Sequence, residues 1–191
     1  YTLSRHDALP IWRALGAHVT THEDVAGTHF AVWAPNATRV SVVGDFNMWD
    51  GRRHPMQRAG NTGAWEIFLP HVGEGAIYKY EVIGAHGSFA LKADPVGFGS
   101  QHPPEKASIV RDIGGYGWKD GKWMEGRAAR SNRNAPISIY EVHLGSWRRR
   151  WDDGGRPLSY KELARDLVGY VKDMGFTHIE LLPISEFPFD G

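Results

Sequence analysis

Polar and apolar residues alternate along the first half of the chain with the period of a β-strand. Five short segments show this alternation, and turn residues such as Pro, Asn and Gly separate them: 28–33, 39–43, 65–69, 76–83 and 88–92. Successive side chains of a strand point to opposite faces of a sheet, so this period indicates strands with one buried face. Short strands at regular spacing, with no helical pattern between them, predict an all-β, immunoglobulin-like sandwich over residues 16–94.

The pattern changes after Pro136, where a strand, a helix and a second strand follow one another. Residues 137–142 are rich in β-branched side chains, and residues 177–182 form a similar segment. Between them, Ser159 and Glu162 have the spacing of a capping box, which marks the first turn of a helix. The apolar positions after this cap repeat with the helical period: Tyr160, Leu163, Leu167, Tyr170, Val171 and Met174. This order predicts a βαβ unit with parallel strands.

The remaining boundaries follow from composition and pattern. Residues 1–11 do not match the pattern after them and resemble a peptide translated from adaptor DNA, so we expect a non-native extension. Residues 95–136 are rich in Gly and Pro and are predicted to be a connector. Residues 137–191 contain one βαβ unit. Because a parallel sheet needs both faces covered, we expect them to be a fragment of a larger domain.

The composition argues against several classes of partner. Lys plus Arg and Asp plus Glu number 22 each, so no overall charge attracts nucleic acid. The basic and aromatic run 147–151 is short and is followed by Asp152 and Asp153, which favours a solvated loop or a glucan-facing one over a nucleic-acid site. No apolar run approaches the ~20 residues of a membrane span. The absence of cysteine excludes thiolate metal sites and fits a cytoplasmic protein. We predict no cofactor.

Several separated motifs resemble those of one enzyme family. Three of them resemble the glycogen-binding module of branching enzymes, family 48 of the carbohydrate-binding modules: Gly44-Asp-Phe-Asn-Met-Trp-Asp-Gly51, Gly73-Glu-Gly-Ala-Ile-Tyr-Lys-Tyr-Glu81 and Lys92-Ala-Asp-Pro95. Residues 139–147 resemble the first barrel strand of the same enzymes, and residues 174–191 resemble their second strand and the loop after it. Residues 16–191 are therefore similar to the N-terminal part of a 1,4-α-glucan branching enzyme.

This resemblance implies a fold and a reaction for the whole protein. The fold is the start of an eight-stranded TIM (β/α)8 barrel, which typically needs ~250 residues. The reaction is a retaining double displacement on glycogen or a related α-1,4-glucan, in which an acceptor 6-hydroxyl creates an α-1,6 branch. In this family the catalytic carboxylates follow later barrel strands. We therefore predict no catalytic residue within 1–191.

The resemblance also indicates sugar contacts on the sandwich. Trp49 is expected to stack on glucan, with Asn47 on the same turn and Lys79 able to hydrogen-bond sugar hydroxyls. Phe89 is expected at a second aromatic position. The alternative is that Trp49 packs on its own sheet or on the barrel, and that Asn47 only shapes the turn.

Four polar residues are placed by the same resemblance near the substrate cleft of the barrel. Glu141 and His143 end the first strand, at the face where such barrels hold their active sites. Glu186 and Asp190 follow the second strand. The Glu-x-His pair provides too few ligands for a metal, so we predict no metal site. The alternative for Glu141 and His143 is a hydrogen-bonded pair that shapes the cleft floor.

Two other functions remain open from the sequence. One is a stand-alone glycogen-binding module without catalysis. The predicted βαβ unit argues against it, because a binding module needs no barrel strands. The other is a related hydrolase, either a debranching enzyme or one that releases trehalose. The Gly145-Ser-Trp147 motif favours branching.

Overall fold

The computed structural model describes residues 11–184, which divide into two compact units, 11–116 and 117–184. The first unit contains one turn of helix, eight strands and a 3-10 turn at Asp45–Asn47. Its elements are α1 (Ile11–Ala14), β1 (Gly16–His22), β2 (Val25–Trp33), β3 (Ala37–Gly44), β4 (Gln57–Arg58), β5 (Ala64–Pro70), β6 (Ile77–Gly84), β7 (Phe89–Lys92) and β8 (Ser108–Ile109).

Two antiparallel sheets make up this first unit. The first sheet has the strand order β1-β2-β5-β4, and the second has the order β3-β6-β7, with β8 paired to the start of β6. The predicted all-β sandwich is confirmed. Residues 108–109 lie within the segment predicted to be a connector, yet they extend the second sheet, and Val110 beside them is fully buried.

The apolar core of the sandwich contains a buried carboxylate. The hydroxyl of Tyr78 donates to Asp94 Oδ2 at 2.6 Å, and the hydroxyl of Tyr80 donates to the same oxygen at 3.2 Å. Asp94 Oδ1 accepts from the Val96 N–H at 2.8 Å. Burial raises the pKa of Asp94, and these three hydrogen bonds oppose the rise. Burial also raises the pKa values of both tyrosines. Asp94 of the Lys-Ala-Asp-Pro motif is thus a core residue.

The second unit contains the predicted βαβ arrangement. Its elements are α2 (Gly121–Arg130), β9 (Ile139–Val142), α3 (Leu144–Trp147), β10 (Arg149–Arg150), β11 (Arg156–Pro157), α4 (Tyr160–Asp173) and β12 (His178–Leu181). Strands β9 and β12 pair in parallel, from Ile139 opposite His178 to Val142 opposite Leu181. The parallel strand–helix–strand prediction is confirmed.

Helix α4 begins as its sequence predicts, and it buries only part of its predicted apolar face. The Ser159 N–H donates to Glu162 Oε2 at 2.8 Å and Ser159 Oγ accepts from the Glu162 N–H at 3.4 Å, which completes the capping box. Leu163, Leu167 and Val171 are buried. Tyr160 and Met174, which share the predicted apolar face, are instead largely exposed.

Two arginines between β9 and α4 hold the start of the helix. Arg150 Nε lies 3.2 Å from Glu162 Oε1, and Arg156 Nη1 lies 2.9 Å from Glu162 Oε2. The hydrogen bond from Arg156 is the main cause that lowers the pKa of Glu162. Arg148 lies over the Trp147 ring at 4.3 Å. These contacts give the basic side chains a structural role.

An apolar groove of about 320 Å³ lies between α4 and β12. Its walls include Leu163 and Val168 from the helix and Ile179 and Leu181 from the strand. Val168, Ile179 and Leu181 are between 36 and 52% exposed. No helix within residues 11–184 is long and apolar enough to cross a membrane.

Candidate functional site

The turn after β3 is organised around the side chain of Asn47. Its Oδ1 accepts from the Gly44 N–H at 3.0 Å, and its Nδ2 donates to the Val42 carbonyl at 2.9 Å. The same Nδ2 lies 2.9 Å from His54 Nδ1. Asn47 is only 1% exposed. These contacts leave no surface for a ligand on Asn47, so the geometry corresponds to the alternative in which this residue shapes the turn.

Trp49 lies on the same turn in a constrained backbone conformation. Met48 and Trp49 have φ values of +57° and +60°, in the left-handed region that non-glycine residues rarely adopt. The Trp49 N–H donates to the Gly44 carbonyl at 3.0 Å, and its indole Nε1 donates to Asp45 Oδ1 at 2.8 Å. Trp49 is 38% exposed. The indole N–H is therefore satisfied internally, while part of the ring faces solvent.

The turn covers part of the outer face of the second sheet. A Cβ at Gly51 would collide with the carboxylate of Glu81, so Gly51 packs directly on that side chain. Glu81 is buried and pairs with Arg39. Val43, which faces outward from β3, is fully buried. The close approach at Gly51 thus holds the turn that carries Trp49 against the sheet.

The register of the second sheet identifies which side chains share this outer face. Lys79 lies opposite Val43, Phe89 lies opposite Ile83, and Leu91 lies opposite Glu81. Because Tyr78, Tyr80 and Val82 point into the core, the alternating residues point outward. Phe89 is 61% exposed and Leu91 is 47% exposed.

The outer face of the second sheet, together with residues 45–51, is the candidate binding face. It brings Lys79 and Phe89 onto one surface beside the turn that carries Trp49. Leu91 belongs to this surface and was not among the residues predicted from the sequence. The signal that could have found it is the period-two spacing of Phe89 and Leu91, which places both on the same side of β7.

Charged groups near the turn are paired among themselves. Arg52 Nε and Nη2 donate to the two carboxylate oxygens of Asp50 at 2.9 and 2.8 Å. This hydrogen bonding lowers the pKa of Asp50 to about 2.

Partial burial lowers the pKa of His54, and the charge of Arg53 adds to this effect. His54 is therefore neutral at pH 7, which suits its contact with the Asn47 amide.

Two of the four residues predicted near the barrel cleft, Glu141 and His143, lie at the end of β9. Glu141 is opposite Glu180 in the parallel pair. His143 Nδ1 lies 2.8 Å from Ser146 Oγ, in the turn that begins α3. All three of Glu141, Glu180 and His143 are exposed. Among residues 11–184, no cluster of His, Cys, Asp or Glu could hold a metal ion. Glu186 and Asp190 lie outside the described residues, as do residues 1–10 of the predicted extension.

Known proteins similar to this chain include branching enzymes and other enzymes of α-glucan metabolism. A family model for carbohydrate-binding module 48 (isoamylase N-terminal domain) matches residues 14–97, which include Trp49, Lys79, Phe89 and Leu91 of the candidate binding face. The chain is 66% identical over 191 residues to the 1,4-alpha-glucan branching enzyme GlgB of Jannaschia sp. (strain CCS1), and 60% identical over 184 residues to that of Rhodospirillum rubrum. Over nearly its whole length the chain is similar to these 1,4-alpha-glucan branching enzymes. It corresponds to the N-terminal region of these branching enzymes.

The chain spans about a quarter of the length of these curated branching enzymes. It covers 26% of the Jannaschia protein and 25% of the Rhodospirillum protein, while the alignments cover 100% and 96% of this chain. Solved structures of other enzymes share the fold. Apo pullulanase from Klebsiella pneumoniae matches with a TM-score of 0.63 and 25% identity, over 91% of this chain and 20% of that one. The catalytic module of the glycogen-degrading pneumococcal protein SpuA matches with a TM-score of 0.61 and 20% identity, over 93% of this chain and 29% of that one.

Proposed function

We propose that the whole protein is a 1,4-α-glucan branching enzyme, and that this chain supplies its glucan-binding sandwich and the beginning of its barrel. The observation that carries the proposal is the 66% identity to a branching enzyme along all 191 residues. The identity to pullulanase is 25%, which supports a shared fold far more than a shared reaction. The parallel β9–α4–β12 unit also argues against a stand-alone binding module.

The proposed reaction is a retaining double displacement during glycogen biosynthesis in the cytoplasm. One carboxylate attacks the anomeric carbon of an α-1,4-glucan while a second protonates the leaving oxygen. The 6-hydroxyl of an acceptor chain then displaces the enzyme carboxylate and forms an α-1,6 branch. We expect these carboxylates outside residues 1–191, so the chain by itself should show no turnover.

The candidate binding face is proposed to contact α-glucan through Trp49, Lys79, Phe89 and Leu91. Exposed ring faces can stack on the C–H faces of glucose, and the Lys79 ammonium provides donors for hydroxyl groups. Asn47 keeps the turn in shape and makes no direct contact in this proposal, because its amide is buried and hydrogen-bonded.

The four polar residues at the barrel strands are proposed to border the substrate cleft. Glu141 and His143 are exposed at the end of β9, which supports a position where a substrate could reach them. Glu186 and Asp190 follow β12 in the sequence and keep the same proposed role.

The deciding experiment is a branching assay on the product of the complete gene. Incubation with amylose should lower iodine absorbance and create α-1,6 linkages that a debranching enzyme can cleave, without a matching increase in reducing ends. Release of reducing ends or trehalose without new branches would overturn the proposal in favour of a hydrolase.

A further inference from the structure

A groove of about 760 Å³ lies on the first sheet, apart from the candidate binding face. The residues that line it include Thr20 and His22 from β1, His29 from β2, Gln57 from β4, and Glu66 and Phe68 from β5. Its volume falls within the ~300–1,000 Å³ typical of small-molecule sites. The fold and the proposed function leave this groove without a role.

The strand register shows that the groove faces away from the second sheet. Phe30 and Val32 of β2 point into the core, so His29, which precedes Phe30, points outward. Phe68 lies opposite His29 on β5 and points outward with it. Glu66 lies two residues from Phe68 and opposite Gln57. The outer faces of the two sheets point in opposite directions, so a ligand in the groove cannot contact the candidate binding face.

One wall of the groove is aromatic. A Cβ at Gly27 would lie 2.7 Å from the Phe68 ring, so this ring lies across bare glycine backbone. The His22 ring is tilted by 53° against Phe68, with 5.4 Å between the ring centroids. Because Gly27 has no side chain, the Phe68 ring packs directly against the strand backbone. There it forms a partly exposed apolar surface beside His22.

The remainder of the lining combines hydrogen-bond donors and acceptors. His29 Nε2 lies 3.5 Å from Glu66 Oε2, and both side chains are partly exposed, at 35 and 48%. Gln57 and Thr20 each provide a donor and an acceptor. A carboxylate in the lining disfavours an anion, and no cluster of ligands for a metal ion occurs in residues 11–184. An uncharged ligand with many hydroxyl groups and one apolar face could pack on the aromatic wall and hydrogen-bond to the polar side chains.

We propose that this groove is a second carbohydrate subsite, which binds a short segment of an α-1,4-glucan chain against Phe68 and His22. The identity of the ligand rests on the proposed function, whereas the place and chemistry of the subsite rest on the groove itself. Two subsites on opposite faces of one sandwich would engage two chains of a branched particle, and this bivalency raises affinity for glycogen above that for a linear oligosaccharide.

The test is a titration of the 191-residue protein with maltoheptaose. The readout is the change in backbone amide chemical shifts, measured by NMR. Shifts at both the groove and the candidate binding face support the inference. Shifts near Trp49 and Phe89 alone overturn it and leave the proposed glucan binding intact. Shifts in the groove alone support it and remove glucan binding from the second sheet. A titration without shifts at either face overturns both.

A double variant measures the contribution of the groove. In a Phe89→Ala background, His22→Ala with Glu66→Gln should weaken the remaining maltoheptaose binding at least fivefold. Both positions are exposed or half-exposed, so the melting temperature should stay the same. Glu105→Gln, an exposed carboxylate outside the groove, is the matched control and should bind like the background. Equal affinity in the double variant and the control would refute the subsite.

Discussion

Replacing Phe89 by alanine separates glucan binding from structural packing on the second sheet. Phe89 is 61% exposed, so removing its ring should cost little stability. An aromatic side chain has a surface of ~200 Å², so the exposed part of Phe89 is ~120 Å². A sugar stacked on one ring face would bury about half of this exposed area, ~60 Å². At ~25 cal/mol per Å², the lost contact is ~1.5 kcal/mol, which is roughly a tenfold rise in Kd.

Affinity electrophoresis in gels that contain glycogen would measure this change. Phe89→Ala should migrate faster than the parent protein at each glycogen concentration, while its melting temperature stays within about 2 °C, a ΔΔG of at most ~1 kcal/mol. Tyr160→Ala removes an aromatic side chain that is 68% exposed in the second unit and serves as the matched control. Unchanged migration of Phe89→Ala, together with unchanged migration of Trp49→Ala, would show that the second sheet does not bind glucan.

The remaining predictions concern the stability of the sandwich. Asn47→Ala leaves a buried backbone N–H without its acceptor and should lower the unfolding free energy in urea by ~1–3 kcal/mol; a smaller loss would contradict the turn-forming role. Gly51→Ala places a Cβ against the Glu81 carboxylate and should cost a similar ~1–3 kcal/mol, while Gly73→Ala, where the space is open, should be close to neutral. Burial raises the pKa of Asp94 in the folded state above its ordinary value of 3.8, so the folded state binds the Asp94 proton more tightly than the unfolded state does. The contribution of Asp94 to stability therefore falls as pH rises through the interval just above 3.8. Asp94→Asn should remove this fall, and parallel pH slopes of the two proteins would refute the assignment.

The sequence predicted the regular elements because their patterns are long enough to be distinctive. Segments of five to eight alternating residues became β2, β3, β5 and β6, and the Ser159 capping box marks the start of α4. The two-residue strands β4 and β8 are too short to show a period, so only their pairing with another strand defines them.

Side-chain orientation at the candidate binding face was harder to predict. A motif places Asn47 and Trp49 on one turn, yet only tertiary contacts decide which of them faces solvent. The Gly44 N–H and the Val42 carbonyl draw Asn47 inward, whereas Trp49 keeps 38% of its surface exposed. Leu91 could have been found by extending the alternation of β7 from Phe89, because both point to the same side.

The apolar groove between α4 and β12 affects how this polypeptide must be handled at the bench. Apolar side chains such as Val168 and Leu181 are exposed to solvent there. Contiguous exposed apolar patches promote self-association. Preparations should therefore elute earlier from a sizing column as they are concentrated. Sugar titrations therefore need repeating at several protein concentrations, because association between copies of the protein imitates multivalent binding.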